Sequence, residues 1–302
     1  MTLKKQFYKL GVCFTLLLSV SQNPYIASCM AMDEHPLASQ FREQGHSFEK
    51  ITTYQAVLDK VNDLIAQGLH LYHDSIIVLS DWDNTINGPG AWSQKDYRGN
   101  YLFETKRMLT EEEVDHRLRD PHTLEILQEL TNLSIPIFVA TARPPIRDSD
   151  IMIKFKEEQN LDLLDCRHPD NPDVMHYEKI RGTINDYVHG LSEETLLEKA
   201  HQKVQIMEER SGVKITAQKG IKKEGEIITV DNHKVVYHNG FIFTGYNKGP
   251  ALFNSLGFKD SIRDVHIIIV DDCERALKSF IPVLKNFTEK RAKLHILHYP
   301  IR

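Results

Sequence analysis

One stretch in the first third of the chain decides the fold, and it reads Ile76-Ile77-Val78-Leu79-Ser80-Asp81-Trp82-Asp83-Asn84-Thr85. Its first four residues are all apolar and three of them are β-branched, which is typical of a strand buried on both faces of a parallel sheet. Two carboxylates then follow, two residues apart, where the strand ends. Open α/β sheets bind ligands at the carboxyl ends of their strands, so the stretch indicates a parallel sheet with a site at its edge.

Three further runs are dominated by apolar, strand-forming residues: Ile135–Ala140, Val265–Val270 and Leu294–Leu297. Apolar residues recur at helical spacing in segments around these runs, namely Tyr54–Leu71, Leu124–Leu133, Pro250–Leu256 and Glu274–Leu284. Strands that alternate with helices are typical of α/β folds. We therefore predict a Rossmann-like parallel sheet with flanking helices as the core of the protein.

The segment from Gly225 to Thr244 breaks this alternation. It contains three extended patterns, Glu226–Val230, Lys234–His238 and Phe241–Thr244. The last two are separated by Asn239-Gly240, a dipeptide that favours a two-residue β-hairpin turn. A charged helical pattern, Leu191–Arg210, precedes the segment. We predict an inserted α+β cap over residues 151–240. The two parts of the core are then 72–150 and 241–302.

Residues 1–31 have the three-part order of a secretory signal peptide. Lysines near the start precede an apolar run, Leu10–Val20, which is too short to span a bilayer as a helix. Small residues follow around Ala27 and Ala31. We predict that 1–31 are removed during export to the periplasm or the medium, and that 32–71 form a lead-in and a helix.

The cysteines leave processing and redox state open. Ile26-Ala27-Ser28-Cys29 resembles a lipoprotein signal, in which Cys29 becomes the lipid-bearing first residue and brings the protein to a membrane. An uncleaved N-terminal anchor is the other alternative. Cys166 and Cys273 either pair in an oxidising compartment or remain as two free thiols.

Composition and charge exclude several classes of protein. The chain has 302 residues, of which 41% are hydrophobic and 26% charged, so a fully disordered or multi-span membrane chain is excluded. It carries 37 basic and 42 acidic side chains, a net charge of −5. Nucleic-acid binders usually present a basic surface, so we expect no nucleic-acid partner.

Two acidic pairs indicate a metal site. Asp81 and Asp83 follow the first strand, and Asp271-Asp272 follow the strand that ends at Val270. If the two strands are neighbours, the four carboxylates form one cluster at the sheet edge. Such a set of hard oxygen ligands suits Mg²⁺.

Two further groups are suited to binding an anion. Thr141-Ala142-Arg143 follow the second strand, where a hydroxyl and backbone N–H groups can hold phosphate oxygens. Lys248 opens a predicted helix, where it can balance the acids and reach an anionic substrate. Each group also has a plain structural interpretation: the acids and Thr141 can cap helices, Lys248 can be a surface lysine, and Arg143 can form a structural ion pair.

These motifs, in this order, resemble those of the haloacid dehalogenase (HAD) superfamily. That family has an Asp-x-Asp-x-Thr motif after one strand, a Ser or Thr after the next, a Lys at a helix start and an acidic pair after a later strand. The resemblance covers about residues 72–300. Phe243–Gly249 and the following Val270-Asp271-Asp272 further resemble a little-characterised group of exported HAD-like bacterial proteins.

The resemblance implies a role for each matched side chain. Asp81 is expected to be the nucleophile that forms an aspartyl-phosphate, and Asp83 the acid and base of the two half-reactions. Thr85 is expected to stabilise the loop, Thr141 to bind the phosphoryl group, and Lys248 to neutralise charge between Asp81 and phosphate.

The same resemblance implies a magnesium ion held by Asp81, the backbone carbonyl of Asp83 and Asp272, with Asp271 acting directly or through water. It implies an exported, Mg²⁺-dependent phosphomonoester hydrolase whose partner is a small phosphorylated substrate. The residues expected to contact that substrate are Thr85, Ala142 and Arg143.

Two alternatives remain open, and a departure from the family pattern motivates the first of them. The family often has an Asn or Asp four or five residues after the acidic pair, where this chain has Ala276 and Leu277. A catalytically weak secreted binding or host-interaction protein on the same scaffold is one alternative. The other is a phosphotransferase, in which an acceptor other than water takes the phosphoryl group.

Overall fold

The computed structural model describes most of the chain from His35 onward. The described ranges are 35–69, 76–88, 118–147, 150, 167–168, 171–175, 177–215, 225–245, 247–255 and 264–300, with 167–183 as backbone only. The predicted signal peptide with Cys29, and Cys166, lie outside them. The chain divides into a short unit, Met1–Gln40, and a unit Phe41–Arg302, whose fold is described below. Across the described ranges, we find no helix with the length and apolar character that a membrane crossing requires.

The strands and helices alternate along most of the chain. The strands are β1 (Ser47–Lys50), β2 (Ile76–Ser80), β3 (Ile137–Thr141), β4 (Arg167–His168), β5 (Asn171–Met175), β6 (Glu226–Val230), β7 (His233–His238), β8 (Phe241–Phe243), β9 (Val265–Asp271) and β10 (Ala292–His298). The helices are α1 (Ala38–Glu43), α2 (Gln55–Ala66), α3 (Thr123–Asn132), α4 (Tyr177–Gly190), α5 (Glu193–Ser211), α6 (Lys248–Ser255), α7 (Glu274–Lys278) and α8 (Leu284–Glu289).

Eight strands form one sheet in the order β1-β10-β9-β2-β3-β8-β7-β6, and β4 pairs with β5 in a separate two-stranded sheet. The six strands from β1 to β8 in that order pair in parallel, whereas β7 pairs antiparallel with both of its neighbours, β8 and β6. The prediction of an α/β fold built on a parallel sheet is therefore confirmed for six of the eight strands.

The centre of the sheet is covered on both faces. Every residue of β2 and β3 is buried, as expected for strands between two layers of helices. On one face, the apolar stripe of α2 (Val57, Val61 and Leu64) packs in one cluster with α3 and with inward residues of β2 and β9. Helices α6, α7 and α8 pack against one another and against β9 and β10.

Two predicted helices are shorter in the structure, and the sequence shows why. The first ends at Ala66, before Gly68 with φ of 90°, and glycine in this conformation commonly ends helices. The second, predicted as one helix over Glu274–Leu284, divides into α7, a 3₁₀ turn over Ile281–Val283, and α8. Pro282 has no N–H to donate, so a single α-helix cannot continue through it.

The antiparallel strands extend the main sheet. The turn between β7 and β8 has Asn239 at φ 46° and Gly240 at φ 81°, with His238 opposite Phe241, so the predicted hairpin is confirmed. Strands β6 and β7 fall inside the range 151–240 that we assigned to an inserted cap, yet they are hydrogen-bonded into the core sheet through β8. The main sheet is therefore partly antiparallel at this edge, because a two-residue turn can join only antiparallel strands.

Candidate active site

The strand order brings the acidic motifs together. Strands β2 and β9 are parallel neighbours, with Ser80 opposite Val270, and β3 lies on the other side of β2. Beyond the end of β2, the Asp81 backbone N–H still donates to the Val270 carbonyl over 2.8 Å. Asp81 and Asp271 therefore lie side by side, because each directly follows one member of the Ser80–Val270 pair on two parallel strands.

Lys248 connects these two carboxylates. Its Nζ lies 2.6 Å from Oδ1 of Asp81 and 2.7 Å from Oδ2 of Asp271. Asp81, Lys248 and Asp271 are 6%, 2% and 1% exposed. An ion pair removed from water to this degree persists only when its partners satisfy one another. The interpretation of Lys248 as a solvated surface lysine is therefore wrong.

A glycine lets the helix that carries Lys248 come this close. A Cβ on Gly249 would lie 2.3 Å from the Ser279 carbonyl oxygen and 2.6 Å from Cα of Phe280. The Gly249 N–H donates to the Ser279 hydroxyl over 2.9 Å. The first turn of α6 therefore packs directly on the backbone after α7, which fixes the position of Lys248.

Asp272 completes a cluster of three carboxylates. One oxygen from each of Asp81, Asp271 and Asp272 lies within 4.8 Å of the others. Both oxygens of Asp271 have donors, namely Lys248 and the Cys273 N–H at 2.9 Å. Among the residues that the structure describes, Asp272 has no such donor on its carboxylate. An oxygen ligand is thus left available beside Asp81.

Burial and crowding set the charge state of this cluster. Burial raises the pKa of Asp81 to about 7, the Lys248 ammonium opposes that rise, and the Asp271 and Asp83 carboxylates add to it. Burial also raises the pKa of Asp272 well above its ordinary value, with Asp81 and Asp271 contributing. Burial alone would lower the pKa of Lys248, but the two carboxylates outweigh it and the pKa is raised. The cluster contains three carboxyl groups and one ammonium group.

The donor set fits a hard divalent cation. Three carboxylates converge around a single lysine, and one of them has no hydrogen-bond donor in the described structure. Mg²⁺ prefers carboxylate oxygens and usually keeps several waters, so one or two protein carboxylates suffice. Asp81 and Asp272 are the residues best placed to hold it.

Asp83 belongs to a second group of contacts. The Arg143 guanidinium binds it bidentately, with Nε 2.9 Å from Oδ2 and Nη2 2.6 Å from Oδ1. The Arg143 backbone N–H donates to the Thr141 hydroxyl over 3.1 Å. The side chain of Asp83 remains 35% exposed. The end of β3 thus holds Asp83 in place through Arg143, while part of the carboxylate stays open to solvent.

The two threonines differ in their contacts. Thr141 is fully buried, and its hydroxyl accepts the Arg143 N–H, so the residue shapes the turn that contains Ala142. Thr85 is also fully buried, but its hydroxyl has no hydrogen-bond partner among the described residues. Only Thr141 therefore has a polar role that the contacts reveal.

One residue near the site has no counterpart in the sequence analysis. Arg119 donates to the backbone carbonyl of Asn84, within the turn between Asp81 and Thr85, and to the carbonyl of Tyr299 over 2.6 Å. It lies in no motif and beside no apolar run, and nothing in its local sequence indicates these contacts.

Comparison with protein-family models, curated proteins and solved structures found no match to this chain.

Proposed function

We propose that this protein is an exported phosphomonoester hydrolase of the HAD type. The observation that supports the proposal best is the buried contact of Lys248 with both Asp81 and Asp271, with Asp272 beside them. A carboxylate nucleophile, a cation against it and a further unpaired acid are the parts that phosphoryl transfer through an aspartyl-phosphate requires.

In the first half-reaction, a carboxylate oxygen of Asp81 attacks phosphorus, and the bond between phosphorus and the leaving alcohol oxygen breaks. Asp83, protonated, gives its proton to that oxygen. Lys248 contacts Oδ1 of the attacking carboxylate, where its charge offsets the repulsion between carboxylate and phosphate. The products are the free alcohol, the aspartyl-phosphate of Asp81 and the Asp83 carboxylate.

In the second half-reaction, water attacks the phosphorus of the aspartyl-phosphate. Asp83 takes a proton from that water, and the bond between phosphorus and the Asp81 oxygen breaks. Inorganic phosphate leaves, and both carboxyl groups return to their starting states. The bidentate contact of Arg143 orients the Asp83 carboxylate for this second step, and it opposes protonation of Asp83 in the first.

Asp81 and Asp272 would hold the magnesium ion that the acidic cluster fits, and its double positive charge would screen the incoming phosphate from the carboxylates. Thr141 and the backbone of Ala142 and Arg143, at the end of the neighbouring strand, are the groups we assign to phosphate binding.

The direct test is phosphate release from an aryl phosphate by the full chain with Mg²⁺. We expect Asp81→Asn to lower the rate by about 10³-fold or more, because an amide cannot form the acyl phosphate. The matched control is Asp264→Asn, which removes an exposed acid paired with Arg291. Unchanged phosphate release in Asp81→Asn, or a wild-type protein inactive on a panel of phosphomonoesters, would falsify the proposal.

One observation favours a second candidate function. Ala276 and Leu277, where the family often has a polar side chain that supports the metal, are both fully buried apolar residues in α7. This lack of polar support favours a catalytically weak binding protein on the same scaffold. Calorimetric titration with Mg²⁺ separates the two, since the enzyme should bind the ion at millimolar concentration and the binding protein should not.

A further inference from the structure

Arg119 lies beside the turn that follows β2. Leu118 forms an isolated antiparallel bridge with Asn87, and the Arg119 N–H donates to the Ile86 carbonyl over 3.1 Å. The backbone at 118–119 therefore runs alongside the end of the turn that carries Asp81 and Asp83. This pairing directs the Arg119 side chain back across that turn.

The guanidinium of Arg119 gathers carbonyl groups from two distant parts of the chain. Nη1 donates to the carbonyls of Asn84 and Tyr299, and Nη2 donates to the carbonyl of Pro300 over 2.7 Å. The planar group also lies on the face of the Tyr299 ring, with Cζ 3.4 Å from its centroid. Arg119 thus joins the turn after β2 to the residues that follow β10.

Both ends of this connection lead to the acidic cluster. The turn follows Asp81 directly, and Asn84 within it has φ of 60°, a left-handed conformation that asparagine adopts more readily than most other non-glycine residues. At the other end, the Tyr299 N–H donates to the Asp271 carbonyl over 2.9 Å. Arg119 therefore contacts the turn at its left-handed residue and, through Tyr299, reaches the segment that binds the Asp271 backbone.

Arginine is better suited to this task than lysine. The guanidinium offers several N–H donors in a rigid plane and can stack on a ring, whereas an ammonium is a single point charge on a flexible stem. Three carbonyls and a ring face cannot be satisfied together by one Nζ.

From these contacts we propose that Arg119 is a positioning residue, which fixes the turn from Asp81 to Thr85 against Tyr299 and Pro300. The proposal deepens the phosphatase function and rests on it for its kinetic consequence. Its structural consequence, an ordered turn around Trp82, does not depend on any activity.

The kinetic arm compares Arg119→Gln, Arg119→Lys and the control Arg291→Gln, which removes an exposed arginine. We expect Arg119→Gln to lower kcat on an aryl phosphate about 10-fold or more with KM changed less than about 2-fold, because the phosphate-binding groups on β3 are untouched. Arg119→Lys should retain more of the wild-type kcat than Arg119→Gln does. The control Arg291→Gln should keep the wild-type kcat.

A double substitution tests the link to Tyr299. Tyr299→Leu removes the ring face while keeping an apolar side chain in the core. Combined with Arg119→Gln, it should lower kcat by no more than about 3-fold beyond Arg119→Gln alone, because both changes break one connection. Full additivity of the two losses would overturn the proposed link.

The structural arm uses fluorescence of Trp82, which is fully buried in the turn. The chain has two tryptophans, Trp82 and Trp92, so Trp92→Phe leaves Trp82 as the reporter. In that background Arg119→Gln should shift Trp82 emission to the red and increase its quenching by acrylamide, whereas Arg291→Gln should not.

The two arms fail in different ways. If the wild-type protein releases no phosphate while Trp82 responds to Arg119→Gln, the phosphatase function fails and the positioning role stands. If Trp82 emission and kcat are both unchanged, the positioning role is overturned. The positioning role would also be overturned if Arg119→Gln lowered thermal stability and reduced kcat and 1/KM by the same factor. That result is expected of an arginine that only stabilises the fold. Should Arg119→Gln not fold, the same criteria apply to Arg119→Lys.

Discussion

Two buried polar groups occupy the same sheet, and they differ in charge. At the carboxyl ends of β2 and β9, Lys248 bridges Asp81 and Asp271. Across β1, β10 and β9, a histidine chain runs from the Ser47 hydroxyl to His295 over 2.9 Å and from His295 to His266 over 2.9 Å. The first group is ionic and unbalanced, whereas the second is a row of mutually satisfied groups.

The environment keeps the histidine chain neutral. Burial lowers the pKa of His295 to about 3. Lys60 on α2 and Lys293 on β10 add to the effect through their positive charge, and protonated His266 or His46 would add to it further. Both ring nitrogens of His295 already have partners. Buried polar residues alone therefore do not mark a functional site, since a neutral network that is fully hydrogen-bonded only stabilises the fold. The feature that points to a cation is a cluster in which acidic side chains from different strands outnumber the basic side chains.

The largest difference between the two groups should appear on removal of Lys248. We expect Lys248→Met to lower the free energy of unfolding by about 3–5 kcal/mol, because Asp81 and Asp271 then remain buried without a counter-charge. Urea denaturation measures the loss. Millimolar Mg²⁺ should restore part of it, since the cation would supply the missing positive charge.

Lys278→Met is the matched control, because it removes an exposed lysine that pairs with Glu274 across one helical turn. Such surface pairs contribute about 0.5 kcal/mol or less. If Lys248→Met costs no more than Lys278→Met, the charged group is energetically equivalent to the histidine chain and the contrast fails.

A smaller effect, and one that depends on pH, is expected of the histidine chain. The pKa of His295 is about 3 in the folded protein against an ordinary value of 6.5, so between these values the unfolded chain binds the proton and the folded chain does not. Stability should fall as pH drops below 6.5, by up to about 1.4 kcal/mol per pH unit from this group. Urea midpoints measured from pH 7 to pH 4.5 give the slope.

His295→Gln should flatten that slope, because glutamine does not titrate and can still donate and accept hydrogen bonds. The control is His122→Gln, an exposed histidine beside Glu125, which should leave the acid-induced fall almost unchanged. A slope that is the same in His295→Gln and wild type would show that the histidine chain does not resist protonation.

The local sequence pattern was sufficient to place the acidic residues that follow the parallel strands. Asp81 and Asp271 follow apolar runs, and such runs become neighbouring strands whose ends share one edge. Lys248 was singled out from its place at a predicted helix start, but only the resemblance to a family gave it a definite role, since a lysine before a glycine carries almost no information by itself. Its contact with Asp81 spans 167 residues of chain.

Other parts could not be predicted because pattern specifies a strand but not its partner. The extended patterns at β6 and β7 were recognised, but which sheet they join depends on the edge that β8 offers. Arg119 was missed for a similar reason, since its acceptors are backbone carbonyls, which every residue has. Only the fold brings Asn84 and Tyr299 to the same guanidinium.

The smallest expected effect concerns Thr85, whose role was inferred only from the family resemblance. Its buried hydroxyl has no partner among the described residues, so Thr85→Val should change the free energy of unfolding by less than about 0.5 kcal/mol. Thr141→Val, in contrast, leaves the Arg143 N–H without its acceptor and should cost about 1–3 kcal/mol. Equal losses in the two variants, measured by urea denaturation, would show that the Thr85 hydroxyl does hold the turn, and the site would then have two polar anchors rather than one.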